Sequence, residues 1–153
     1  MITNRKLKLD EERVLAIDYG EIRIGLAISD PLGILAFPLM VIDLNKTKDY
    51  IRVIKDVIKE KEVKKIIIGL PLIMGGKEGI QTEKVRRFYE EVKECIDLSV
   101  ELVDERLTTV MAQKSLSEVG IDQRKQRKMI DMIAAAKLLE TYLETNKRNR
   151  NTK

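Results

Sequence analysis

Short, uninterrupted apolar runs constrain the fold of this chain more than any other feature of its sequence. Residues Val14-Leu15-Ala16-Ile17 form one such run, and Ile66-Ile67-Ile68 form another. Runs of this kind are typical of strands whose two faces are both buried. A sheet that contains such strands is covered by helices, so the sequence predicts an α/β fold.

Two further apolar runs follow the first one closely. They cover Ile24–Ile28 and Ile34–Ile42, and the segment Asp30-Pro31-Leu32-Gly33 separates them. This segment has proline second and glycine fourth, as a type I turn prefers. The first third of the chain is therefore expected to form an antiparallel meander.

The hydrophobic period becomes helical after Asn45. Cys95 lies on the second helical stripe, where a free cysteine is expected to be a small core residue. The predicted order is β-β-β-α-β-α-β-α-α, a five-stranded mixed sheet flanked by helices. The later elements are predicted as a helix around Tyr50–Ile58, a strand at Ile66–Ile68, a helix over Val85–Ile96, a strand at Ser99–Val103, a helix from Thr108 or Thr109 to Gly120, and a last helix over Ile130–Tyr142.

The length of 153 residues fits one domain. We expect an ordered core at about 13–145, frayed ends and a basic C-terminal tail at 146–153. No apolar run approaches the roughly 18 residues of a membrane span. The N-terminus also lacks the apolar centre of a signal peptide, so a cytoplasmic protein is expected. The net charge of +4 is compatible with a polyanionic partner.

Two absences narrow the chemistry. The chain has no histidine, which excludes a histidine general base and histidine-liganded zinc. It has one cysteine, which excludes an intrachain disulfide and every multi-cysteine metal site. Catalysis would therefore use carboxylates, lysines, hydroxyls or a hard metal bound by oxygen ligands.

Acidic residues at three places are candidates for such chemistry. Asp18 directly follows the first buried strand, where a charge needs a cation or hydrogen-bond donors, although an aspartate here could equally cap a β-turn. Asp104 and Glu105 follow the last strand, where the alternative is a solvated loop with an arginine–carboxylate pair. Asp131 is expected near the start of the last helix, where it could simply interact with the helix dipole. Taken together, these acids suit Mg²⁺ or Mn²⁺.

Several motifs, taken in order, resemble the YqgF (RuvX-like) family over roughly residues 13–145. They are Asp18-Tyr19-Gly20-x-x-Arg23-Ile24-Gly25, the strand running into Gly69-Leu70-Pro71-Leu72, Asp104-Glu105-Arg106-Leu107-Thr108-Thr109, and Asp131-x-x-Ala134-Ala135. The resemblance implies a ribonuclease H-like fold related to RuvC resolvases. It also implies nuclease action on structured nucleic acid, including maturation of the 5′ end of 16S rRNA precursors in ribosome biogenesis.

The resemblance also implies a set of metal ligands. Asp18, Glu105 and Asp131 would bind two divalent ions, Mg²⁺ or Mn²⁺, with Asp104 as the fallback ligand. Paired ions of this kind can activate water and stabilise the leaving oxygen of a phosphodiester. RuvC-type resolvases also place a carboxylate at the end of the fourth strand, where this chain has Gly69-Leu70-Pro71.

The chain departs from the family pattern at three further positions. Ile22 stands where lysine is frequent, Ile73 where asparagine is frequent, and Gly75 where an acid is frequent. These changes concern contacts with the substrate more than the metal chemistry.

Basic residues near the acidic motifs are candidates for phosphate contacts, with a solvated helix face as the alternative for the last four. The residues are Arg23, Lys77, Arg106, Arg124, Lys125, Arg127 and Lys128. The chain has no tryptophan and only six tyrosines and phenylalanines, so recognition through backbone and shape is favoured over base stacking.

Three classes of function compete. A two-metal-ion nuclease acting on an rRNA precursor or branched DNA is favoured, as a monomer or homodimer. A non-catalytic RNA-binding factor in ribosome assembly or transcription is the alternative. Actin-like ATPases and sugar kinases share Asp-x-Gly turns, but they need a second phosphate loop and a second domain, which 153 residues do not supply.

Overall fold

The computed structural model describes residues 12–106 and 123–151. Within these ranges the elements follow the predicted order. The predicted helix from Thr108 or Thr109 to Gly120 lies outside them. The elements are β1 (Val14–Tyr19), β2 (Arg23–Ser29), β3 (Ala36–Asp43), α1 (Tyr50–Lys61), β4 (Lys65–Leu70), α2 (Ile80–Cys95), β5 (Ser99–Asp104) and α3 (Gln123–Asn151).

The strands form one five-stranded sheet in the order β3-β2-β1-β4-β5. β1, β2 and β3 pair antiparallel, which confirms the predicted meander. β4 pairs parallel with β1 on one side and with β5 on the other. The ends of β1, β4 and β5 therefore meet at the same edge of the sheet, which brings their terminal residues together.

Alternation along β1 divides its side chains between two apolar layers. Leu15 and Ile17 belong to the layer that includes residues of α1 and α2. Val14 and Ala16 belong to the layer that includes residues of α3. The same alternation directs Asp18 to the side of the sheet that α3 covers.

Close packing of α3 against the sheet depends on small residues. Ala134, Ala135 and Ala136 are buried on this helix. A Cβ added at Gly25 in β2 would lie 2.1 Å from the backbone oxygen of Asp131. Only glycine therefore allows the helix and the strand to approach this closely at that point.

Three details differ from the sequence prediction. β3 begins at Ala36, two residues later than predicted, because the Asp30 side chain accepts hydrogen bonds from the amides of Ile34 and Leu35 and extends the turn. The core assignment of Cys95 is wrong, since its side chain is exposed. α2 ends at Cys95, and Ile96 takes the buried position instead.

The ends of α3 also differ from the prediction. The helix extends to Asn151, although a frayed end was predicted from position 145. The segment contains no proline or glycine to interrupt the helix, and basic residues near a helix C-terminus interact favourably with the helix dipole. The helix already includes Gln123, so Asp131 lies beyond its first turns and the helix-dipole interpretation of this acid is wrong.

Candidate active site

Asp18 and Glu105 come together at the edge where β1 and β5 end. Asp18 is within β1, opposite Gly25 of β2, so it is a strand residue and not part of the following turn. Glu105 directly follows β5, and its amide donates a hydrogen bond to the carbonyl oxygen of Leu70 at 3.3 Å. The side chains of Asp18 and Glu105 are hydrogen-bonded to each other.

Gly69 in β4 provides the space for this contact. A Cβ added at Gly69 would lie 2.3 Å from Oε2 of Glu105. Glu105 therefore occupies the volume that a side chain at position 69 would fill. A carboxylate from the residue after β5 therefore lies beside β4 at Gly69.

The pKa values of both carboxyls are raised. Burial raises the pKa of Asp18 to about 6; the hydrogen bond with Glu105 opposes this rise and the charge of Asp131 adds to it. Burial also raises the pKa of Glu105 to about 9, and the charge of Asp18 and the hydrogen bond with it act in the same direction. Two interacting carboxyls of this kind titrate as a pair.

Asp131 approaches the pair from α3 and forms an ion pair of its own. Nε of Arg23 lies 2.7 Å from Oδ2 of Asp131, and both side chains are mostly buried, with exposed fractions of 23% and 24%. Burial raises the pKa of Asp131, and the interaction with Arg23 opposes that rise. The predicted phosphate contact Arg23 therefore binds a predicted metal ligand in this structure.

Among the described side chains, no three histidine, cysteine, aspartate or glutamate residues are grouped closely enough to hold a metal ion. The structure brings together Asp18 and Glu105, while Asp131 is paired with Arg23. The donor chemistry nevertheless fits a hard divalent cation, since the pair is all-oxygen and half-buried. Gly69 keeps open the volume in which Glu105 lies.

Asp104 has a different environment from its neighbour Glu105. Its carboxylate accepts hydrogen bonds from the side chain and the amide of Arg106, with Nη2 of Arg106 at 2.6 Å from Oδ2. The pair is exposed, at 40% for Asp104 and 44% for Arg106. The hydrogen bond with Arg106 lowers the pKa of Asp104. This is the solvated arginine–carboxylate pair that the sequence offered as an alternative for the whole segment.

The other candidate phosphate contacts lie on the surface. Lys125, Arg127 and Lys128 are exposed on α3, in the turns that precede Asp131, whereas the side chain of Arg124 is outside the described set. Lys77 is exposed in a loop whose turn contains Gly75 at φ 80°. A left-handed conformation explains why glycine stands at position 75, where an acid is frequent in the family.

Two surface features were missed by the sequence reasoning. Lys128 lines a groove of about 260 Å³ beside the edge strand β3, together with Lys46 from the loop after β3. Ile80 is 78% exposed at the start of α2, near the exposed Ile73, whose side chain approaches Gly79. Lys46 belongs to none of the motifs of the sequence, and Ile80 precedes the helical stripe that was predicted over Val85–Ile96.

Solved structures similar to this chain identify its fold. The Thermus thermophilus RuvC in complex with a Holliday junction substrate has a TM-score of 0.55 and 14% identity, covering 88% of this chain and 95% of that one. The fowlpox virus resolvase in complex with Holliday junction DNA has a TM-score of 0.55 and 15% identity, covering 88% and 98%. The chain therefore has the ribonuclease H-like fold of the resolvases, as predicted.

Sequence comparisons identify the family. The family model described as RuvX: Holliday junction resolvase matches residues 12–145, and the chain belongs to this family. A protein of Clostridioides difficile is 43% identical over 132 residues, which cover 86% of this chain and 94% of that protein. A protein of Maridesulfovibrio salexigens is 40% identical over 131 residues, covering 86% and 97%. Both carry the provisional name pre-16S rRNA nuclease.

The surface of the long helix α3 is rich in charged residues. None of the helices in the described ranges combines the length and the apolar composition that a membrane crossing requires.

Proposed function

We propose that this chain is a divalent-metal-dependent endonuclease that hydrolyses phosphodiester bonds in structured nucleic acid. The contact between the Asp18 and Glu105 carboxyls at the sheet edge is the observation that carries the proposal. Membership of the RuvX family and the names of its relatives support the same class of activity. The proposed substrates are the 5′ end of pre-16S rRNA, Holliday-junction-like DNA, or both.

Asp18, Glu105 and Asp131 are the proposed ligands of two Mg²⁺ or Mn²⁺ ions. When bound, such ions activate a water molecule and stabilise the leaving oxygen of a phosphodiester. The protein would position the ions and supply the negative charge that binds them. As ligands, Asp18 and Glu105 would both be deprotonated, and burial would strengthen their attraction for a cation.

The basic side chains around the acids form the proposed nucleic-acid surface. Lys125, Arg127 and Lys128 would contact phosphates beside Asp131, with Arg124 from the same segment and Lys77 from the loop before α2. Phosphate contacts position a substrate without reading its sequence. Arg23 and Arg106 are ion-paired with Asp131 and Asp104, so a phosphate would meet the remaining N–H donors of each guanidinium or displace the carboxylate.

A non-catalytic RNA-binding factor is the second candidate. It is favoured by the ion pair between Arg23 and Asp131, because this pair leaves two and not three acids in mutual contact. The basic surface would then serve binding alone. For either candidate we propose a single domain that acts in the cytoplasm as a monomer or homodimer.

A turnover assay separates the two candidates. The full-length protein is incubated with a four-way junction DNA and with an RNA that carries a pre-16S 5′ leader, in Mn²⁺, Mg²⁺ or EDTA. We expect cleavage that requires the cation and falls by about 10³-fold or more in Asp18→Asn, because an amide is a poor metal ligand and a lost ion removes several kcal/mol of stabilisation.

The control is Asp56→Asn, which makes the same chemical change on an exposed position of α1 and should cleave as the unaltered protein does. Circular dichroism checks that both variants fold. Full cleavage by a folded Asp18→Asn protein would contradict the proposal. Tight binding with no cleavage in any cation would favour the second candidate.

A further inference from the structure

The groove beside the edge strand β3 opens at the end of the sheet that carries the candidate acids. It has a volume of about 260 Å³, and its lining includes the end of β3, the loop that follows this strand, and Lys128 of α3. The volume is below the roughly 300 Å³ at which ligand pockets usually begin. The groove therefore has room for one small group of a larger ligand.

The strand register connects this groove to the candidate acids. Asp18 of β1 is opposite Gly25 of β2, and Gly25 is opposite Val41 of β3, which lines the groove. Two strand spacings, about 10 Å, separate the first residue of this row from the last. Asp131 lies next to the middle of the row, where its backbone approaches Gly25. Because each strand of a duplex has one phosphate per roughly 3.4 Å of its axis, the row spans about three phosphates.

Two lysines line the groove from different elements. Lys46 belongs to the loop after β3, and Lys128 belongs to α3, three residues before Asp131. Residues three apart on a helix are neighbours on its surface, so Lys128 lies between the groove and this acid. Both lysines are exposed, and neither has an ion-pair partner among the residues that the structure describes. Their charges are therefore available to an anion.

The rest of the lining suits a sugar-phosphate unit. Thr47 brings a hydroxyl, which can donate a hydrogen bond to a phosphate oxygen. Asp43 is the one acid of the lining, and its carboxylate accepts a hydrogen bond from the amide of Asn45 at 2.9 Å within the turn. Two lysines against one aspartate leave the lining with a net positive charge. The remaining lining residues are apolar and can contact a sugar.

We propose that this groove binds a backbone phosphate of the nucleic-acid substrate, about three phosphates away from the cleaved bond. Lys46, Lys128 and Thr47 contact its oxygens. The substrate strand then runs from the acids across β2 to the edge strand β3. This inference rests on the proposed function, and it adds the direction in which the substrate leaves the candidate active site.

Binding of a four-way junction DNA in EDTA tests the proposal without relying on cleavage. Fluorescence anisotropy gives the Kd of the full-length protein at several salt concentrations. The double variant Lys46→Gln/Lys128→Gln should bind at least about tenfold more weakly, and the slope of log Kd against log salt should fall by about 1.8, since each duplex phosphate contact contributes about 0.9. Lys46→Gln alone should lower the slope by about 0.9.

The double variant Lys59→Gln/Lys64→Gln is the matched control. It removes the same two charges from exposed positions near the end of α1 and the start of β4, at the opposite end of the sheet. It should bind the junction with the affinity and the salt dependence of the unaltered protein. Circular dichroism checks that all variants fold. Equal losses in the two double variants would show an effect of net charge alone and would overturn the proposal.

Neutral methylphosphonate linkages, placed one at a time along the junction strands, test for direct contact. At the contacted position, the linkage should weaken binding by the unaltered protein but have no effect on Lys46→Gln/Lys128→Gln, because the lysines that it would affect are already absent. If every linkage has the same effect on both proteins, the two lysines contact no phosphate and the proposal is wrong.

The outcomes separate this inference from the proposed function. Unchanged junction binding by the folded groove variants would overturn the phosphate site and leave the nuclease proposal intact; the groove would then be open to an extended peptide beside β3. Junction binding that depends on the groove, with no cleavage by the unaltered protein in Mn²⁺, would support the phosphate site and contradict the nuclease. Absence of binding to both the junction and the pre-16S leader RNA would overturn both.

Discussion

Asp104 and Glu105 are neighbours in sequence with opposite surroundings. Asp104 lies on the surface, is paired with Arg106 and has a lowered pKa. Glu105 points to the other side of the sheet, contacts Asp18 and has a pKa raised to about 9. Side chains alternate between the two faces of a strand, so one of two adjacent acids at a strand end faces solvent and the other faces the protein. The chemical role of each acid in such a motif can therefore be assigned only when the strand register is known.

The difference between the two acids can be tested most directly by neutralising each one separately. Glu105→Gln should reduce single-turnover cleavage at saturating Mn²⁺ by about 10²–10³-fold, because it removes a proposed ligand. Asp104→Asn should cost less than about tenfold, because an exposed ion pair contributes about 0–1 kcal/mol. A larger loss for Asp104→Asn would reverse the assignment, and equal losses would place both acids at the metals.

A variant that moves the Glu105 side chain without changing its charge tests whether the position of this carboxylate matters. Gly69→Ala places a methyl group where Oε2 of Glu105 lies, and the flexible end of that side chain can move away. We expect a loss of about 10–10² in cleavage, since small misplacements of catalytic groups have effects of this size. The free energy of unfolding should change by less than about 1.5 kcal/mol.

Gly25→Ala provides the contrast, because its methyl group would meet the backbone of Asp131 and not a movable side chain. This variant should lose stability as well as activity. Both quantities can be measured by urea unfolding and by cleavage of the same junction. Unchanged cleavage in Gly69→Ala would show that the position of Glu105 is unimportant.

The smallest expected effect is on stability as a function of pH in metal-free buffer. The pKa values of Asp18 and Glu105 are raised in the folded protein, so the folded state holds more protons than the unfolded chain between about pH 5 and pH 9. The free energy of unfolding should therefore fall as the pH rises through this window. One proton corresponds to at most about 1.4 kcal/mol per pH unit.

Substitutions of Glu105 and Asp104 provide the test variant and its control for this pH dependence. Glu105→Gln should flatten most of this slope, because it removes the group whose pKa is raised more. Asp104 has a lowered pKa, so its own contribution is lost only at acidic pH. Asp104→Asn should leave most of the slope above about pH 5, because the charge of Asp104 is the smallest of the causes that raise the pKa of Glu105. A rise in stability with pH in the unaltered protein would contradict the raised pKa values of Asp18 and Glu105.

Local patterns predicted most of the sheet and the position of the acidic pair. Apolar runs identified β1, β2 and β4. The acids at the ends of predicted strands were expected at one edge of the sheet, and Asp18 and Glu105 lie together there. The ion pair between Arg23 and Asp131 could not be predicted from the sequence, because it joins residues 108 positions apart and no periodic pattern links them. The metal roles of these acids stay predictions.

The errors have local causes. Cys95 fits the helical stripe of α2, but the helix ends at that residue and the buried position passes to Ile96. The C-terminal segment lacks apolar spacing, so its helix could not be recognised from a hydrophobic pattern. The last helix was predicted over Ile130–Tyr142, and in the structure it extends beyond both of these positions.

The strand order has a consequence for the timing of folding. β1 is the first strand in the chain and the central one in the sheet, and its second partner, β4, begins only at Lys65. Such non-local pairing is slow, since a long loop must close before the contact forms. The three candidate acids come from β1, from the end of β5 and from the C-terminal helix. A chain emerging from the ribosome therefore cannot bring these three acids together until most of it has been synthesised, so the proposed nuclease would stay inactive beside the surrounding RNA until then.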